Sequence, residues 1–330
     1  MFTVSPLAKK AALIALASFP LLCGGRLAGP ALAGQTVIVD GDVSGSVSGN
    51  NNPPYYGSSW PPPNLSDPNN NTVIVNSGTV SGDVDGGDAW GAAGSEPATA
   101  SGNTVTINGG EMTGGVYGGY AGYADSGSGP ATASGNSVTI NGGVVTGGVH
   151  GGSAGYAGYA GSGSGPATAS GNSVTINGGE VTGYVYGGSA KSKGSGMSGD
   201  AVNNTVVISG GQIGGNIYGG FSAVGSNGET GSATGNGVTL RGAPVLADSL
   251  FGGFVAFDSS STPAPGTDAF SGNSLQVAPS LASGIGVGGG VQNFEFYNFT
   301  FPKDASPNGS ADVAARSKRG PTLARSARVS

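Results

Sequence analysis

One glycine-rich phrase recurs along the chain and restricts its fold more than any other feature. Three copies, residues 103–119, 136–152 and 172–188, agree at almost every position. Looser copies are marked by the asparagine that opens them: Asn71, Asn204, Asn236 and Asn273. The distance between copies varies while the phrase keeps its length, which is typical of a protein built from stacked repeats.

The phrase predicts two short β-strands joined by a turn. Val105 and Ile107 alternate with threonines, which is the period of two that places successive side chains on opposite faces of a strand. The Asn-Gly-Gly triplet at 108–110 favours a tight turn with positive φ. A second strand is predicted through Met112 and Val116, ending at the Gly-Gly pair that closes the phrase.

A single repeat of this size cannot bury its few apolar side chains alone. If copies stack at the usual strand spacing of about 4.8 Å, each backbone pairs with the repeats above and below, and the apolar positions form one interior. We therefore predict an all-β fold, a parallel β-helix or related β-solenoid of seven or eight glycine-rich repeats. Residues 35–47 form a degenerate first copy, as expected of a capping repeat.

The asparagine that opens each copy is a candidate structural element. Identical amides placed one above another can form a hydrogen-bonded ladder along the stacking axis. The alternative is that asparagine is used only because it tolerates a turn. The predicted structural ladder consists of Asn71, Asn103, Asn136, Asn172, Asn204, Asn236 and Asn273.

Ring side chains recur at the end of the second strand, directly after a predicted inward position. They are expected to face outward and to form an aromatic ladder: Tyr117, His150, Tyr186, Tyr218 and Phe251. Stacking would stiffen this face of the solenoid. The alternative role is a platform for sugar rings.

The stretches between copies are rich in Gly, Ser, Ala and Tyr, and we predict that they leave the stack on one side. They include a repeated Pro-Ala-Thr-Ala-Ser-Gly word at 97–102, 130–135 and 166–171. If one face binds a ligand, the tyrosine-bearing linkers are the predicted place.

Composition divides the chain into three parts. Residues 1–33 have the charged start, short apolar segment and small-x-small site of a secretory signal peptide. Residues 34–302 form the predicted solenoid, with a proline-rich interruption at 50–70 that is expected to be a surface loop or cap. Residues 303–330 are basic and lack apolar periodicity, so we predict a disordered tail.

The charge of the solenoid region excludes some partners. Residues 34–302 contain 16 acidic and 3 basic residues, a net charge of 3 − 16 = −13, which argues against binding nucleic acid or an anionic membrane surface. The only cysteine, Cys23, falls in the signal peptide. The mature chain therefore has neither disulfides nor thiol chemistry.

Catalysis is not predicted, and no cofactor is expected. A carbohydrate-active β-helix enzyme, the alternative, needs carboxylates clustered on one face. Glu111 and Glu180 hold equivalent positions, but Val144 stands between them. The Gly-Gly-Ser-Ala-Gly sequence at 151–155 matches a serine-hydrolase elbow, a chance match expected in a glycine-rich repeat.

No metal site is predicted either. The calcium-binding nonapeptide repeat needs an aspartate at a fixed place in tandem copies, and no aspartate recurs in this way. Asp83, Asp85 and Asp88 form the densest acidic group and are expected to lie in a solvated turn. His150 replaces the tyrosine of other copies and is interpreted as a repeat variant.

The Asn-x-Val-x-Ile-x-Gly-Gly phrase, its Gly-x-Val-Tyr-Gly-Gly continuation and the aromatic segment at 293–302 carry a family resemblance. Residues 35–302 resemble the repeat passenger region of bacterial autotransporters, the type V secretion proteins of Gram-negative bacteria. The resemblance implies a β-helical passenger displayed at the cell surface, often in adhesion or aggregation. Its partner would be a host-cell or extracellular carbohydrate or protein.

The family also implies a C-terminal outer-membrane β-barrel, built from alternating strands of about ten residues. The 330 − 302 = 28 residues after Pro302 contain no such strand. We expect either that the barrel lies in another chain or that this is a truncated passenger without function of its own. The signal peptide alone predicts export to the periplasm, and the resemblance adds surface or extracellular display.

Overall fold

The computed structural model describes residues 34–50, 67–90, 97–122, 129–155, 165–192, 197–224, 230–257, 267–279 and 285–300. The predicted signal peptide, the tail at 303–330 and most of the proline-rich interruption lie outside these ranges. The described residues form short strands in four parallel sheets, and no helix occurs among them. Each strand pairs with the equivalent strand of the neighbouring turn.

The first two sheets are built from the Asn-to-Gly-Gly part of the phrase and from the residues after its turn. The first sheet contains nine strands: Thr36–Val39, Thr72–Val75, Thr104–Ile107, Ser137–Ile140, Ser173–Ile176, Thr205–Ile208, Gly237–Gly242, Ser274–Pro279 and Phe296–Phe299. The second contains six: Thr79–Val80, Glu111–Met112, Val144–Val145, Glu180–Val181, Gln212–Ile213 and Val245–Leu246.

The other two sheets complete each turn. The third sheet contains ten strands: Val47–Ser48, Val84–Asp85, Asp88–Trp90, Val116–Tyr117, Tyr120–Gly122, Val149–Gly155, Val185–Lys191, Ile217–Val224, Leu250–Phe257 and Val291–Gln292. The fourth contains five: Ala98–Ser101, Ala131–Ser134, Ala167–Ser170, Ser198–Val202 and Thr230–Ser232.

This architecture is the predicted parallel β-solenoid. Six turns contribute a strand to each of the first three sheets, with a partial turn at either end, so the expected seven or eight repeats were a slight overcount. Pairing is in register along the axis, and Val105 lies between Val73 and Val138 of the adjacent turns. Like residues are therefore stacked on like.

The main core fills the space enclosed by the first three sheets. Val105, Ile107, Met112 and Val116 are fully buried, and the equivalent residues of other turns join them in one cluster. This confirms the inward positions predicted from the period of two. The turn glycines also behave as predicted: Gly110 has a φ of 92°, in the left-handed region that favours glycine.

A second, smaller core corrects the interpretation of the linkers. The Pro-Ala-Thr-Ala-Ser-Gly words are not loops, because their Ala-Thr-Ala-Ser parts form strands of the fourth sheet. Ala131 and Ala133 are buried in a cluster with Ala121 and Ala154 of the third sheet. Alternating Ala and polar residues have the strand period, but alanine is a weak strand former, so the pattern resembled a linker.

The second strand of the phrase is longer than predicted. In Val149–Gly155 and Val185–Lys191 the strand runs through the Gly-Gly pair and does not end there. Val149 belongs to the main core and Ala154 to the alanine core. The third sheet thus joins the two cores, and the Gly-Gly pair lies between them.

The aromatic segment at the C-terminal end of the stack forms a strand whose ring side chains are largely exposed. Phe296–Phe299 adds a strand to the first sheet, and Phe294 is buried at 2% exposure. However, Phe296, Tyr297 and Phe299 are 56%, 50% and 40% exposed. Alternation does not bury one face here, because this is the last strand of the first sheet and no further turn stacks on it among the described residues.

Replacing Val149 by Asp should abolish cooperative unfolding. The Val149 side chain is fully buried between Val116 and Val185 of the adjacent turns, and an unpaired buried charge costs several kcal/mol, about the whole stability of a typical domain. Thr146→Asp is the matched control, because Thr146 is exposed in the same turn. Thermal unfolding followed by circular dichroism tests both, and an unchanged transition for Val149→Asp would contradict the assigned core.

Candidate functional site

The seven asparagines that open the copies lie in one buried column, the inner asparagine ladder. Their exposed fractions are 0% or 1%. In the middle of the ladder the backbone N–H and the Nδ2 amide of Asn136 both donate to Oδ1 of Asn172, each at 3.0 Å. Asn172 donates in the same way to Asn204. The rungs link consecutive turns from Asn71 to Asn273.

Each inner amide also reaches the alanine core. Asn172 Nδ2 donates its second hydrogen bond to the carbonyl oxygen of Ala133 at 3.0 Å. Its Oδ1 accepts two bonds and its Nδ2 donates two, which is the full capacity of an asparagine side chain. The ladder lies between the two cores and leaves no amide group of Asn172 unpaired in a place that water does not reach.

The Gly-Gly pair of each copy is explained by this ladder. A Cβ atom on Gly152 would lie 2.4 Å from Oδ1 of Asn172, and one on Gly119 would lie 2.6 Å from Oδ1 of Asn136. Real Cβ atoms do not approach oxygen so closely, so only glycine lets the third sheet pass beside the amides. The repeated asparagine and the repeated Gly-Gly pair are therefore one structural unit.

A second, exposed ladder was not predicted. The asparagine of the Asn-Gly-Gly turn had been interpreted only as a turn residue, yet Nδ2 of Asn108 donates to Oδ1 of Asn76 at 2.8 Å. Asn141 donates to Asn108, and Asn177 to Asn141, each at 2.9 Å. Asn76 donates to the Asp40 carboxylate at 2.8 Å. We call Asn76, Asn108, Asn141 and Asn177 the outer asparagine ladder. Recurrence at one place in consecutive copies was the available signal.

The five predicted rings form a continuous stack, the aromatic column. Ring centroids are 4.7 Å apart between Tyr117 and His150, 4.5 Å between His150 and Tyr186, and 5.0 Å at each of the two further steps, to Tyr218 and then to Phe251. Interplanar angles are between 7° and 22°. These separations match the strand spacing of about 4.8 Å, so in-register pairing brings the rings into contact.

The aromatic column is not an open platform. It lies across the third sheet from the main core, because the preceding valines belong to that core. Even so, His150, Tyr218 and Phe251 are only 9%, 8% and 8% exposed. The three internal rings, His150, Tyr186 and Tyr218, have both faces covered by their neighbours and offer no free face to a sugar. The sugar-platform interpretation of these five residues is therefore not supported by their geometry.

Further aromatic side chains pack against the C-terminal half of the column. Phe221 contacts Tyr186 and Tyr218 edge-on at 5.3 and 5.4 Å, and Phe254 stacks on Phe221 at 5.9 Å. These residues stand beyond the Gly-Gly pair in the third sheet. In two of the preceding turns the equivalent places hold Ser153 and Ser189, and the turn before those has Tyr120, which packs edge-on against Tyr117 at 6.0 Å.

Burial shifts the acid–base equilibria along this surface. Desolvation, with a smaller contribution from the Lys191 charge, lowers the pKa of His150 to about 3. Burial likewise raises the pKa values of Tyr186 and Tyr218 and lowers that of Lys191. At neutral pH, His150 is therefore a neutral member of the stack, and its Nδ1 has no hydrogen-bond partner among the described residues.

The acidic group near the N-terminal end is not the solvated turn that was predicted. Asp85 and Asp88 are 6% and 3% exposed. Burial, followed by the charges of Asp88 and Asp83, raises the pKa of Asp85 well above its ordinary value. Asp83 accepts a hydrogen bond from the Gly115 backbone at 2.7 Å. Asp85 and Asp88 lie in short strands of the third sheet, in register with Tyr117 and Tyr120 of the next turn. Their burial depends on this stacking, which no local pattern indicated.

The two glutamates and the serine motif that were considered for catalysis lie in the second and third sheets. Val144 pairs with both Glu111 and Glu180, so it separates them by one strand on the second sheet. Ser153 lies inside the strand Val149–Gly155 and is 7% exposed, so the strand-turn-helix context of a nucleophile elbow is not present there. In the described part of the chain no three His, Cys, Asp or Glu side chains could together hold a metal ion.

No family model, curated protein or solved structure matches the chain. Within the described ranges there is also no helix of the length and apolarity needed to cross a membrane. The functional interpretation therefore rests on the repeat, its ladders and the placement of its linkers.

Replacing Asn172 by Ala should destabilise the solenoid by about 3 kcal/mol or more. The change leaves the backbone N–H of Asn136 and one hydrogen of its Nδ2 amide without an acceptor in the interior, and each unsatisfied buried group costs about 1–3 kcal/mol. Asn141→Ala removes the equivalent amide from the exposed outer ladder, where water replaces the lost bonds. Denaturant unfolding should show a loss below about 1 kcal/mol for this control. Equal losses in the two variants would contradict the role of the inner ladder.

Replacing His150 by Phe should make stability less sensitive to acid. The folded pKa of about 3 lies below the ordinary 6.5, so between these values the unfolded chain takes up a proton that the folded chain does not. Stability is fully present above about pH 6.5 and falls by about 1.4 kcal/mol per pH unit as pH decreases towards 3. Asp85, whose pKa is raised, acts in the opposite direction and is common to both proteins. Urea unfolding at several pH values measures the difference, and parallel stability curves would contradict it.

Proposed function

We propose that the chain is an exported, cell-surface structural and adhesive passenger of the autotransporter type, without catalytic activity. The observation that carries this proposal is the uninterrupted stack of six turns, in five of which the chain between the third and fourth sheets varies in length. Such a molecule is a rod with a row of attached segments. Presentation of those segments at a distance from the cell is the role that this geometry supports best.

Rigidity along the axis supports the rod interpretation. Each pair of turns is joined by strand pairing, by the inner ladder and, over part of the length, by the outer ladder and the aromatic column. All of these interactions join one turn to the next, so stability grows with the number of stacked turns. This construction needs no disulfide, which agrees with the absence of cysteine after residue 33.

The placement of the variable segments supports a binding role. The described chain stops at the end of the third sheet and resumes at the fourth in five consecutive turns, at 91–96, 123–128, 156–164, 193–196 and 225–229. These segments differ in length and carry Tyr123, Tyr156 and Tyr159. Tyrosine supplies a large contact area together with a polar group, as recognition of a carbohydrate or protein requires.

The proposal that the chain is exported and displayed at the cell surface rests on sequence features. The first 33 residues have the pattern of a secretory signal, and the Asn-to-Gly-Gly phrase resembles passenger repeats. The net charge of −13 between residues 34 and 302 favours neutral or basic ligands over nucleic acid. A host-cell or extracellular carbohydrate or protein is the proposed partner class.

Exchange of the linker tyrosines tests the adhesive role. Beads coated with the mature chain are applied to immobilised polysaccharides and extracellular-matrix proteins, and binding is compared with a variant carrying Tyr123→Ser, Tyr156→Ser and Tyr159→Ser. Loss of aromatic anchors should weaken binding by more than about tenfold. The melting temperature should not change.

The matched control replaces three outward threonines of the first sheet by serine: Thr106, Thr139 and Thr175. Binding by this control should equal that of the wild type. Failure of the wild-type chain to bind any surface, or equal binding by all three proteins, would contradict adhesion through the linkers. Release of new reducing ends from the polysaccharides would favour a carbohydrate-active enzyme. Surface proteolysis of the native host tests display, and a protein confined to the periplasm would contradict it.

A further inference from the structure

Four Asn-Gly pairs lie in the described part of the chain, at 108–109, 141–142, 177–178 and 236–237. This dipeptide is chemically labile, because glycine puts no side chain in the way of an attack by its own backbone nitrogen on the preceding asparagine. Local sequence gives the four pairs the same susceptibility. Their surroundings in the solenoid differ in both reacting groups.

The reaction is a spontaneous deamidation. The glycine nitrogen attacks Cγ of asparagine, a carbon–nitrogen bond forms, and the bond from Cγ to Nδ2 breaks. The proton of the glycine amide passes to the departing nitrogen, which leaves as ammonia, and a five-membered succinimide remains. Water then opens this ring at either carbonyl, which gives aspartate or isoaspartate. No oxidant or enzyme is required.

Among the four asparagines, the side chain that carries the attacked Cγ is least restrained at Asn177, the last member of the outer asparagine ladder. Asn141 is held on both sides, because its Nδ2 donates to Asn108 and its Oδ1 accepts from Asn177. Asn177 donates to Asn141 at 2.9 Å, but its own Oδ1 accepts no hydrogen bond among the described residues. The ladder stops there because the next turn has Ser209 at this place. The Asn177 side chain is exposed to water.

The attacking backbone nitrogen, that of Gly178, is also not engaged in a hydrogen bond within the described residues. Within the described residues the backbone N–H of Gly178 donates no hydrogen bond, whereas that of Gly237 donates to the Asn204 carbonyl at 2.8 Å. Asn236 is completely buried, and its Nδ2 is held by the Ala201 carbonyl and by Asn273. The pair at 236–237 therefore has both reacting groups engaged.

The packing of successive turns disfavours substitution of this labile Asn-Gly pair. A Cβ on Gly178 would lie 2.9 Å from the carbonyl oxygen of Asn141 in the preceding turn, and one on Gly142 would lie 3.0 Å from that of Asn108. Glycine is therefore required by the close approach of successive turns. The asparagine supplies the hydrogen bonds of the outer ladder, so stacking favours both residues of the reactive dipeptide.

We propose that Asn177 is a site of spontaneous deamidation, where the open end of the outer ladder is converted to a carboxylate. Asn141 and Asn108 are protected by one additional hydrogen bond, and Asn236 by burial. The opposite end of the ladder already terminates in the Asp40 carboxylate. Conversion at 177 removes the bond to Asn141 and adds negative charge to this exposed edge, so modification accumulates from the free end of the ladder.

Peptide mapping of the intact folded chain tests the order of reaction. The purified protein is incubated at neutral pH in water labelled with heavy oxygen, and mass spectrometry counts only sites hydrolysed during incubation. One missing hydrogen bond should make the released Asn177 side chain about fivefold more populated than that of Asn141, so it should react about fivefold faster. Asn236 should stay unmodified. In denaturant, the four pairs should react at similar rates.

Ser209→Asn is the matched variant, because it extends the outer ladder by one turn and supplies a donor to Asn177. It should slow reaction at Asn177 to the rate of Asn141 and make position 209, which is followed by Gly210, the fastest site. Circular dichroism checks that the variant is folded. Equal rates at Asn108, Asn141 and Asn177 in the folded wild type, or an unchanged Asn177 rate in a folded Ser209→Asn variant, would overturn the proposal.

Discussion

The structure depends on the hydrogen bonds that a buried asparagine makes with the next turn. A solenoid with two cores has to carry its backbone between them, and the polar groups at that junction cannot reach water. The inner ladder resolves this, because each amide such as Asn172 is saturated by the turns on either side and by an alanine carbonyl. The adjoining Gly-Gly pairs exist because the amides leave no room for a Cβ.

In-register stacking then determines the rest of the molecule. Once one asparagine lies above another, every other position of the phrase is also placed above its equivalent. Ring stacks on ring in the aromatic column, and Asn108 meets Asn76 on the outer surface. The same register also gives the rod its weakest points, because a column ends wherever one copy departs from the phrase, as Ser209 does after Asn177.

The predictions succeeded where a pattern had a local period. The alternation around Val105 and Ile107, and the turn glycine Gly110, were correctly interpreted because strand periodicity and positive φ are properties of adjacent residues. Predictions failed where burial depends on a neighbouring turn. Asp85 and Asp88 were expected in water, and the alanine strand at 131–134 was interpreted as a linker. Asp85 and Asp88 carry charged side chains, and the alternation at 131–134 uses alanine, a weak strand former, so neither segment gave a clear sign of burial.

The amino-acid sequence by itself determined the parallel stack, its length in repeats to within about one or two, and which side chains face the main core. These features could be predicted because the same strand period and turn residues recur in every copy of the phrase. Only the tertiary structure decided how the turn closes. The alanine core, the covered faces of the aromatic column and the saturation of the inner ladder all arise between strands that are distant in the chain. Burial and hydrogen bonding at those positions are properties of neighbouring turns, and a single copy of the phrase does not contain them.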